Sequence, residues 1–277
     1  MNSLRTPSRW FRLATSLAAA CIASTIAAAP PATADPVTPT VVLVHGAFAD
    51  STTWTAVTAQ LADAGIPFRT FDTPLRSVPG DAAALTDFLA RIDGPIVLVA
   101  HSYGGAVISN VHDPDVRANV FVAAFAPAQG EPLVQLLLDP AQFPGTLLLP
   151  PALLAAPVLD STSPIGVGVD GFVLQPFFRP VFAQDVSPTV AAELFAHQKT
   201  AAVGANLEPS GPPSWASVPS WYLVSTEDRV IAPAMQRKMA GRAAPGRTEE
   251  VVSSHVSPVS RPDRVTAIVR EAIAATS

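Results

Sequence analysis

The stretch "VLVAHSYGG", Val97 to Gly105, passes from a continuous apolar run directly into a serine flanked by small residues. An apolar run without polar alternation is typical of a strand that is covered on both faces. The following residues, "SYGGAVISNV", have the character of a helix. Ala100 and Gly104, two positions before and after Ser102, leave room for a sharp strand-to-helix turn that larger side chains would obstruct. The segment therefore predicts a buried strand, a tight turn that presents the Ser102 hydroxyl, and a helix.

The chain on either side of this segment alternates short apolar runs with stretches of helical character. Five further runs are predicted as strands: "TVVLVHG" (40–46), "IPFRTFDTP" (66–74), "ANVFVAAFAP" (118–127), "SWYLVST" (220–226) and "TEEVVSS" (248–254). Helices are predicted over 50–65, 80–94 and 257–275. Such alternation produces parallel βαβ units in an open sheet with helices on both faces. Ligands bind such sheets beyond the carboxyl ends of the strands, so we expect functional residues in the loops that follow strands.

The alternation stops between residues 127 and 218. From residue 140 to residue 184 this segment carries only three charged residues, which are Asp160, Asp170 and Arg179. It is too apolar for a disordered linker, and long excursions from a compact sheet usually form functional lids. We therefore expect an α/β core made of residues 35–126 and 219–277, with 127–218 inserted as a cap over the strand ends.

The first 34 residues have the pattern of a secretory signal peptide. A basic start with Arg5, Arg9 and Arg12 precedes an uncharged run over 13–29 and the small-residue pattern "ATA" at 32–34. The alternative is a membrane anchor, but this run is rich in Ala, Ser and Thr, whereas a span needs roughly 20 strongly apolar residues. We expect cleavage after Ala34, export of the mature chain, and no stable membrane insertion afterwards.

Cleavage at that position would change the composition in two respects. It would remove the single cysteine, Cys21, and with it disulfides and thiol catalysis. It would also remove three of the 17 basic residues, which leaves 14 basic against 22 acidic residues. An acidic chain without a basic cluster disfavours nucleic acid as a partner. The five histidines, at positions 45, 101, 112, 197 and 255, do not have zinc-type spacing, so neither a metal nor another cofactor is expected.

A serine hydroxyl needs a base to take its proton, and the base needs an acid to orient it. After a strand–serine–helix turn of this kind, the acid and the histidine follow in that order, each at the end of a strand. Asp228 follows the fifth predicted strand and His255 follows the sixth. We predict Ser102 as nucleophile, His255 as base and Asp228 as the orienting acid. Glu227 and Glu131 remain alternatives for the acid.

An acyl-transfer site also needs N–H groups that stabilise the developing oxyanion. The loop "VHGAF" after the first predicted strand can supply one of them from Ala47, and the residue after the serine, Tyr103, can supply the other. Gly46 would allow the backbone to approach closely. Phe48 is a candidate for the wall of the substrate pocket, and His197 in the cap is a second candidate for contact with substrate.

With these residues in place, the chain resembles the serine hydrolases of the α/β-hydrolase fold, in particular compact members that open with an H-G-A-F segment. The matching pieces are "VVLVHGAFADSTTW" (41–54), "PIVLVAHSYGGAVISN" (95–110), "VFVAAFAP" (120–127), "WYLVSTEDRVI" (221–231) and "SSHVSPVSRP" (253–262). The resemblance implies a mostly parallel six-stranded sheet with an inserted cap. It also implies the roles assigned above to Ser102, Asp228, His255, Ala47 and Tyr103. Two departures are the Ala at position 100, where the motif has Gly, and the absence of the first two strands of the larger family members.

The function expected from these features is that of a secreted serine hydrolase that cleaves carboxylic esters through an acyl-enzyme. The apolar cap favours a small apolar ester as substrate. Related enzymes that open epoxides or remove halides need a carboxylate where Ser102 stands, and are disfavoured. Two alternatives stay open: a perhydrolase or lyase that uses the same three residues, and a ligand-binding protein in which they react slowly.

Overall fold

The elements of the core follow the predicted order. The computed structural model describes residues 38–140, 145–161 and 163–276, so the predicted signal peptide (1–34) lies outside the described residues. The strands are β1 (Thr40–Val44), β2 (Phe68–Phe71), β3 (Ile96–His101), β4 (Val116–Val122), β5 (Leu153–Leu159), β6 (Val167–Val173), β7 (Ala201–Ala202), β8 (Ser220–Ser225) and β9 (Thr248–Val251). The α-helices are α1 (Thr55–Asp63), α2 (Val78–Leu89), α3 (Tyr103–Ser109), α4 (Leu133–Leu137), α5 (Gln175–Phe182), α6 (Pro188–Ala196), α7 (Pro233–Ala243), α8 (Ser257–Ser260) and α9 (Pro262–Ala274).

Within the described residues, six strands form one sheet in the order β2-β1-β3-β4-β8-β9. Every neighbouring pair in this sheet is parallel. All six residues of β3 are buried, as expected for a central strand with helices on both faces. The predicted six-stranded α/β sheet is therefore confirmed.

The side chains of β3 alternate between two apolar layers, because successive residues of a strand point to opposite faces. Val97 and Val99 pack in a layer with side chains of α1 and α9. Ile96, Leu98 and Ala100 pack in the other layer, which includes side chains of α2, α3 and α7. This double cover fixes the position of the carboxyl end of β3, where Ser102 follows.

The chain between β4 and β8 adds a smaller antiparallel sheet, in the order β5-β6-β7, and the helices α4 to α6. This segment contacts the core at the loop after β2, where the Ala202 N–H donates to the Leu75 carbonyl oxygen over 2.9 Å. None of the helices in the described part of the chain has the length and apolar character of a transmembrane span.

The helix predicted over 80–94 is α2, which begins two residues earlier, at Val78, and ends five residues earlier, at Leu89. Two other predicted helices also differ from the observed ones. The helix predicted over 50–65 begins with a 3-10 turn, Ser51–Trp54, capped by the Asp50 side chain, which accepts a hydrogen bond from the Thr52 N–H. The helix predicted over 257–275 is two helices, α8 and α9, because Pro262 starts a new helix after Arg261, whose backbone (φ −137°, ψ 52°) is not helical. Neither difference moves a predicted site residue.

Candidate active site

Ser102 occupies a strained turn between β3 and α3. Its backbone has φ 52° and ψ −123°, a conformation that non-glycine residues rarely adopt. The turn brings α3 so close to the loop after β1 that a Cβ on Gly104 would lie 2.7 Å from the Val44 carbonyl oxygen. A Cβ on Gly46 would lie 2.6 Å from the Cβ of Ser102. Both glycines are therefore needed for the backbone to close around the serine.

The structure brings together the three residues predicted for proton transfer. His255 Nε2 lies 2.9 Å from Ser102 Oγ, and His255 Nδ1 lies 2.7 Å from Asp228 Oδ2. All three residues are buried, with Ser102 and Asp228 each 4% exposed. Since a carboxylate only accepts hydrogen bonds, Nδ1 carries the proton, and Nε2 is left to accept from the Ser102 hydroxyl. This is the arrangement in which the serine can be deprotonated by the imidazole.

Asp228 is held by hydrogen bonds to both carboxylate oxygens. Oδ1 accepts from the backbone N–H groups of Val230 (2.7 Å) and Ile231 (3.0 Å). Oδ2 accepts from Gln236 Nε2 over 2.7 Å in addition to His255. Four hydrogen bonds to this buried carboxylate fix its orientation toward His255.

Gln236 is a residue that the sequence reasoning missed. It is fully buried on α7, and its Oε1 also accepts from the Ser225 N–H over 2.9 Å, so its amide joins the end of β8 to Asp228. A sequence signal existed, because Gln236 lies at helical spacing among the buried apolar residues Met235, Met239 and Ala240. A polar residue on the apolar face of a helix usually has a specific partner.

The two alternative acids lie elsewhere. The Glu227 side chain is exposed to solvent. Glu131 forms an ion pair with Arg242, whose guanidinium also donates to the Ala126 carbonyl oxygen. Among the described residues, Asp228 is the only one whose carboxylate hydrogen-bonds to His255.

The two predicted oxyanion donors line the same cavity as Ser102. Ala47 follows Gly46 in the loop after β1, and Tyr103 is the first residue of α3. Within the described part of the chain, neither backbone N–H donates a hydrogen bond to another protein group. They are thus free to donate to an oxygen bound beside Ser102, and the N-terminus of α3 adds a favourable dipole there.

The side chain of Tyr103 fixes the start of α3 from the opposite side. Its hydroxyl donates to Asp81 Oδ2 over 2.8 Å, and Asp81 on α2 is only 1% exposed. Burial raises the pKa of the Asp81 carboxyl, and burial together with the Asp81 charge raises the pKa of Tyr103. No pattern in the sequence predicts this buried contact.

Two further histidines support the loops that form the site. His101 donates from Nε2 to the His255 carbonyl oxygen over 2.8 Å, and the two imidazole rings are 4.7 Å apart. Burial holds the pKa of His101 well below its usual range, so it is neutral at physiological pH. Burial also lowers the pKa of His45, whose Nδ1 lies 2.9 Å from the Gly46 carbonyl oxygen. Both histidines therefore act as neutral hydrogen-bonding groups.

A cavity opens directly above Ser102, between the core and the segment that follows β4. Apart from Ser102 and Tyr103, its lining is almost entirely hydrocarbon: Ala47, Phe48, Leu75, Phe125, Leu137, Leu148, Leu153, Phe182, Ala201, Ala202, Ala205 and Val230. The remaining lining residue is Asn206. None of these side chains is charged, so the cavity suits an uncharged apolar group.

Of the two residues predicted to contact substrate, one lies at the cavity beside Ser102 and the other lies outside it. Phe48 lines the cavity at Ser102, and its ring packs edge-on against Phe182 with 6.0 Å between centroids. His197 does not line this cavity. Its ring is half exposed, lies 3.1 Å from Asp50 Oδ2, and borders a neighbouring cavity on the other side of Phe48.

The described residues contain no group of three or more His, Cys, Asp or Glu side chains that could hold a metal ion.

Comparison with known proteins agrees with this architecture. The sequence profile of the alpha/beta hydrolase family matches residues 41–268. The chain belongs to the alpha/beta hydrolase family. The match covers both the sheet and the loops that carry Ser102, Asp228 and His255.

The chain is also similar to individual proteins of known name. The carbendazim hydrolyzing esterase of Nocardioides sp. (strain SG-4G) is 34% identical over a match that covers 35% of this chain and 46% of the esterase. The chain thus matches less than half the length of that relative.

Two crystal structures match over nearly their whole length. A pyrethroid hydrolase from Sphingobium faniae JZ-2 has a TM-score of 0.69 at 22% identity, covering 86% of this chain and 98% of that one. A polyneuridine aldehyde esterase has a TM-score of 0.71 at 16% identity, covering 85% of this chain and 99% of that one. At these identities the two structures establish the shared fold.

Proposed function

We propose that this alpha/beta hydrolase is a serine esterase that cleaves small apolar carboxylic esters through an acyl-enzyme. The observation that carries the proposal is the buried chain of hydrogen bonds from Ser102 through His255 to Asp228. The esterase and hydrolase activities in the names of the relatives support the same class of reaction.

In the first step, Ser102 Oγ attacks the ester carbonyl carbon while His255 Nε2 takes the hydroxyl proton. The carbonyl oxygen gains negative charge and accepts hydrogen bonds from the N–H groups of Ala47 and Tyr103. Each such donor contributes about 3–4 kcal/mol to stabilising the transition state. The tetrahedral centre then collapses, the bond to the alkoxy oxygen breaks, and His255 returns its proton to the leaving alcohol.

In the second step, water replaces the alcohol. His255 takes a proton from the water as its oxygen bonds to the acyl carbon, and the bond from that carbon to Ser102 Oγ then breaks. The proton returns to the serine oxygen and the carboxylic acid leaves. Asp228 stays ionised throughout and stabilises the positively charged imidazole that exists in each step.

The substrate class follows from the cavity at Ser102. Its hydrocarbon lining favours an uncharged acyl or aryl group, because a charged group would lose its hydration without gaining a partner. Phe48 and Phe182 would pack against that group.

The direct test is hydrolysis of a p-nitrophenyl ester series, from acetate to palmitate, by the chain starting at Asp35. We expect turnover by the natural chain, and a loss of about 10⁴-fold or more in Ser102→Ala. The preferred acyl length reports the size of the cavity. A fluorophosphonate that labels Ser102 without any ester turnover would indicate a ligand-binding protein instead, and a Ser102→Ala variant as active as the natural chain would exclude the serine mechanism.

The proposed location is outside the cytoplasm, on the evidence of the basic and apolar pattern of residues 1–34. Expression of the full chain in a secreting bacterial host, followed by N-terminal sequencing of the exported protein, tests it. A mature chain that begins at Asp35 is expected; a full-length protein that stays with the cells would contradict it.

A further inference from the structure

One polar side chain in the cavity at Ser102 has no role in the proposed mechanism. Asn206 lines the cavity and is half-buried. Among the described residues its amide has no hydrogen-bond partner, whereas the hydroxyl of Tyr103, the other polar side chain beside Ser102, donates to Asp81.

The position of Asn206 is fixed by its backbone. It ends the 3-10 helix Val203–Asn206 that directly follows β7, and the next residue, Leu207, donates its N–H to the Gly204 carbonyl oxygen over 2.9 Å. β7 in turn pairs with β6 and bonds to Leu75 in the core. The amide is therefore carried by an anchored segment of the chain.

Other polar side chains of the same stretch of sequence are hydrogen-bonded to protein groups, whereas the amide of Asn206 is not. Gln198 donates to the Val173 carbonyl oxygen and accepts from the Val173 N–H. Glu208 accepts from the Val78 N–H over 2.9 Å, and Ser210 accepts from Asn110 over 3.0 Å. A polar side chain that lines a cavity and has no protein partner is available to hydrogen-bond a molecule bound there.

From these observations we infer that Asn206 is a specificity-determining residue, which recognises an uncharged polar group on the ester at a distance from the scissile bond. An amide offers two donors and one acceptor, so a ketone, ether, hydroxyl or amide of the substrate can pair with it. A charged group is excluded because the cavity lining contains no charged side chain. Wholly hydrocarbon esters bind less well, because they bury the amide without a partner.

This inference rests on the proposed esterase activity and adds the chemical class of the substrate. The test measures kcat/KM for matched esters that differ only in replacement of one methylene by a carbonyl. The first set consists of p-nitrophenyl octanoate, the parent, and its derivatives with the ketone at successive positions of the octanoyl chain. A second set carries it on the alcohol, with octyl acetate as parent.

The variants are Asn206→Leu, which keeps the volume and removes the amide, and Leu207→Ser, a matched control at the exposed neighbouring residue. In the natural chain and in Leu207→Ser, we expect at least one oxo-ester to be preferred over its parent by about tenfold. In Asn206→Leu that ratio falls toward one.

Ratios that are the same in the natural chain and in Asn206→Leu for every pair would overturn the inference and leave the esterase proposal intact. If the natural chain hydrolyses none of the esters, the esterase proposal fails, and the inference about Asn206 fails with it.

Discussion

At the scale of single residues, Gly46 lies so close to Ser102 that no side-chain atom fits between them. The backbone of Gly46 approaches the serine so closely that any Cβ would collide with it at 2.6 Å. The same loop carries Ala47, whose N–H is a proposed oxyanion donor. A side chain at position 46 must therefore displace either the nucleophile or the donor.

The first prediction concerns Gly46→Ala. We expect kcat/KM for a p-nitrophenyl ester to fall by about 10²-fold or more, because a small displacement of an oxyanion donor costs that much. Gly241→Ala is the matched control, since a Cβ at Gly241 on α7 meets no atom within 4 Å. The control keeps its activity and gains up to about 1 kcal/mol in the free energy of unfolding. Normal activity in Gly46→Ala would contradict the geometry of the loop.

The second prediction concerns Gln236, whose amide positions Asp228. In Gln236→Leu, Asp228 Oδ2 loses one of its two donors and the Ser225 N–H loses its acceptor. We expect kcat to fall by about tenfold, with KM nearly unchanged, because the proposed role acts through the orientation of His255 and not through substrate binding. Gln236→Glu keeps an acceptor for Ser225 but removes the donor to Asp228, and should lose kcat as well. A variant that is only less stable, with natural kcat, would show a purely structural role.

The residues of the site differed in how far the sequence could predict them. Ser102, Asp228 and His255 each follow a strand in a fixed chain order, so the topology of the sheet brought them to one edge. Gln236 and Asp81 lie on helices, and no local pattern specifies the partner that each one meets across the fold. Their roles depend on tertiary packing, which a single sequence does not display.

At the scale of elements, Tyr103 at the start of helix α3 has one role for its backbone and another for its side chain. The backbone N–H of this residue is a proposed oxyanion donor, and its hydroxyl bonds to the buried Asp81 on α2. Contact between α2 and α3 thereby positions a proposed oxyanion donor.

The third prediction concerns Tyr103→Phe, which removes the side-chain hydroxyl and keeps the backbone N–H. Removal of the hydroxyl leaves the buried Asp81 with one donor fewer, and we expect a loss of about 1–3 kcal/mol in the free energy of unfolding in urea. The fold keeps a raised pKa at Asp81, so Asp81 favours the folded state at low pH and loses that contribution as the pH rises through its folded pKa. The Tyr103 hydroxyl bonds more strongly to the ionised Asp81 carboxylate than to the protonated one. The loss in the free energy of unfolding caused by Tyr103→Phe should therefore be larger at neutral pH than at about pH 4. An equal loss at both pH values would contradict a role for the ionised carboxylate.

The elements of the core were more predictable than those of the inserted segment. Continuous apolar runs specify buried parallel strands, and all six are present in the sheet. The hairpin of β5 and β6 was not predicted, because "LLAAPVL" in β5 contains a proline and does not alternate apolar with polar residues. The pairing of β5 with β6 depends on tertiary packing, and the large apolar side chains of Leu154 and Leu159 in β5 are exposed.

At the scale of the whole molecule, the buried histidines link stability to pH. His101 and His45 are both buried and both have a pKa below the usual 6.5. In the unfolded chain they bind protons as the pH falls below 6.5, whereas in the folded chain they stay neutral until lower pH. Between pH 6.5 and the lower pKa values of the two histidines in the folded chain, a fall in pH therefore favours the unfolded state.

The fourth prediction is that the free energy of unfolding decreases as the pH is lowered from about 7 to about 5, and that His101→Gln reduces the slope. One proton bound only by the unfolded state corresponds to about 1.4 kcal/mol per pH unit. The measurement is urea denaturation of both proteins across this range. An identical slope in the variant would show that His101 is protonated in the folded protein.

The central claim is that Ser102 is the nucleophile, and the most direct measurement is the site of covalent labelling. The mature chain is treated with an alkyl fluorophosphonate, its intact mass is recorded with time, the modified peptide is sequenced by mass spectrometry, and residual ester hydrolysis is followed in parallel. We expect a single adduct on Ser102, loss of hydrolysis in proportion to labelling, and no adduct in Ser102→Ala. An adduct on another residue, or hydrolysis that persists when Ser102 is fully labelled, would contradict it.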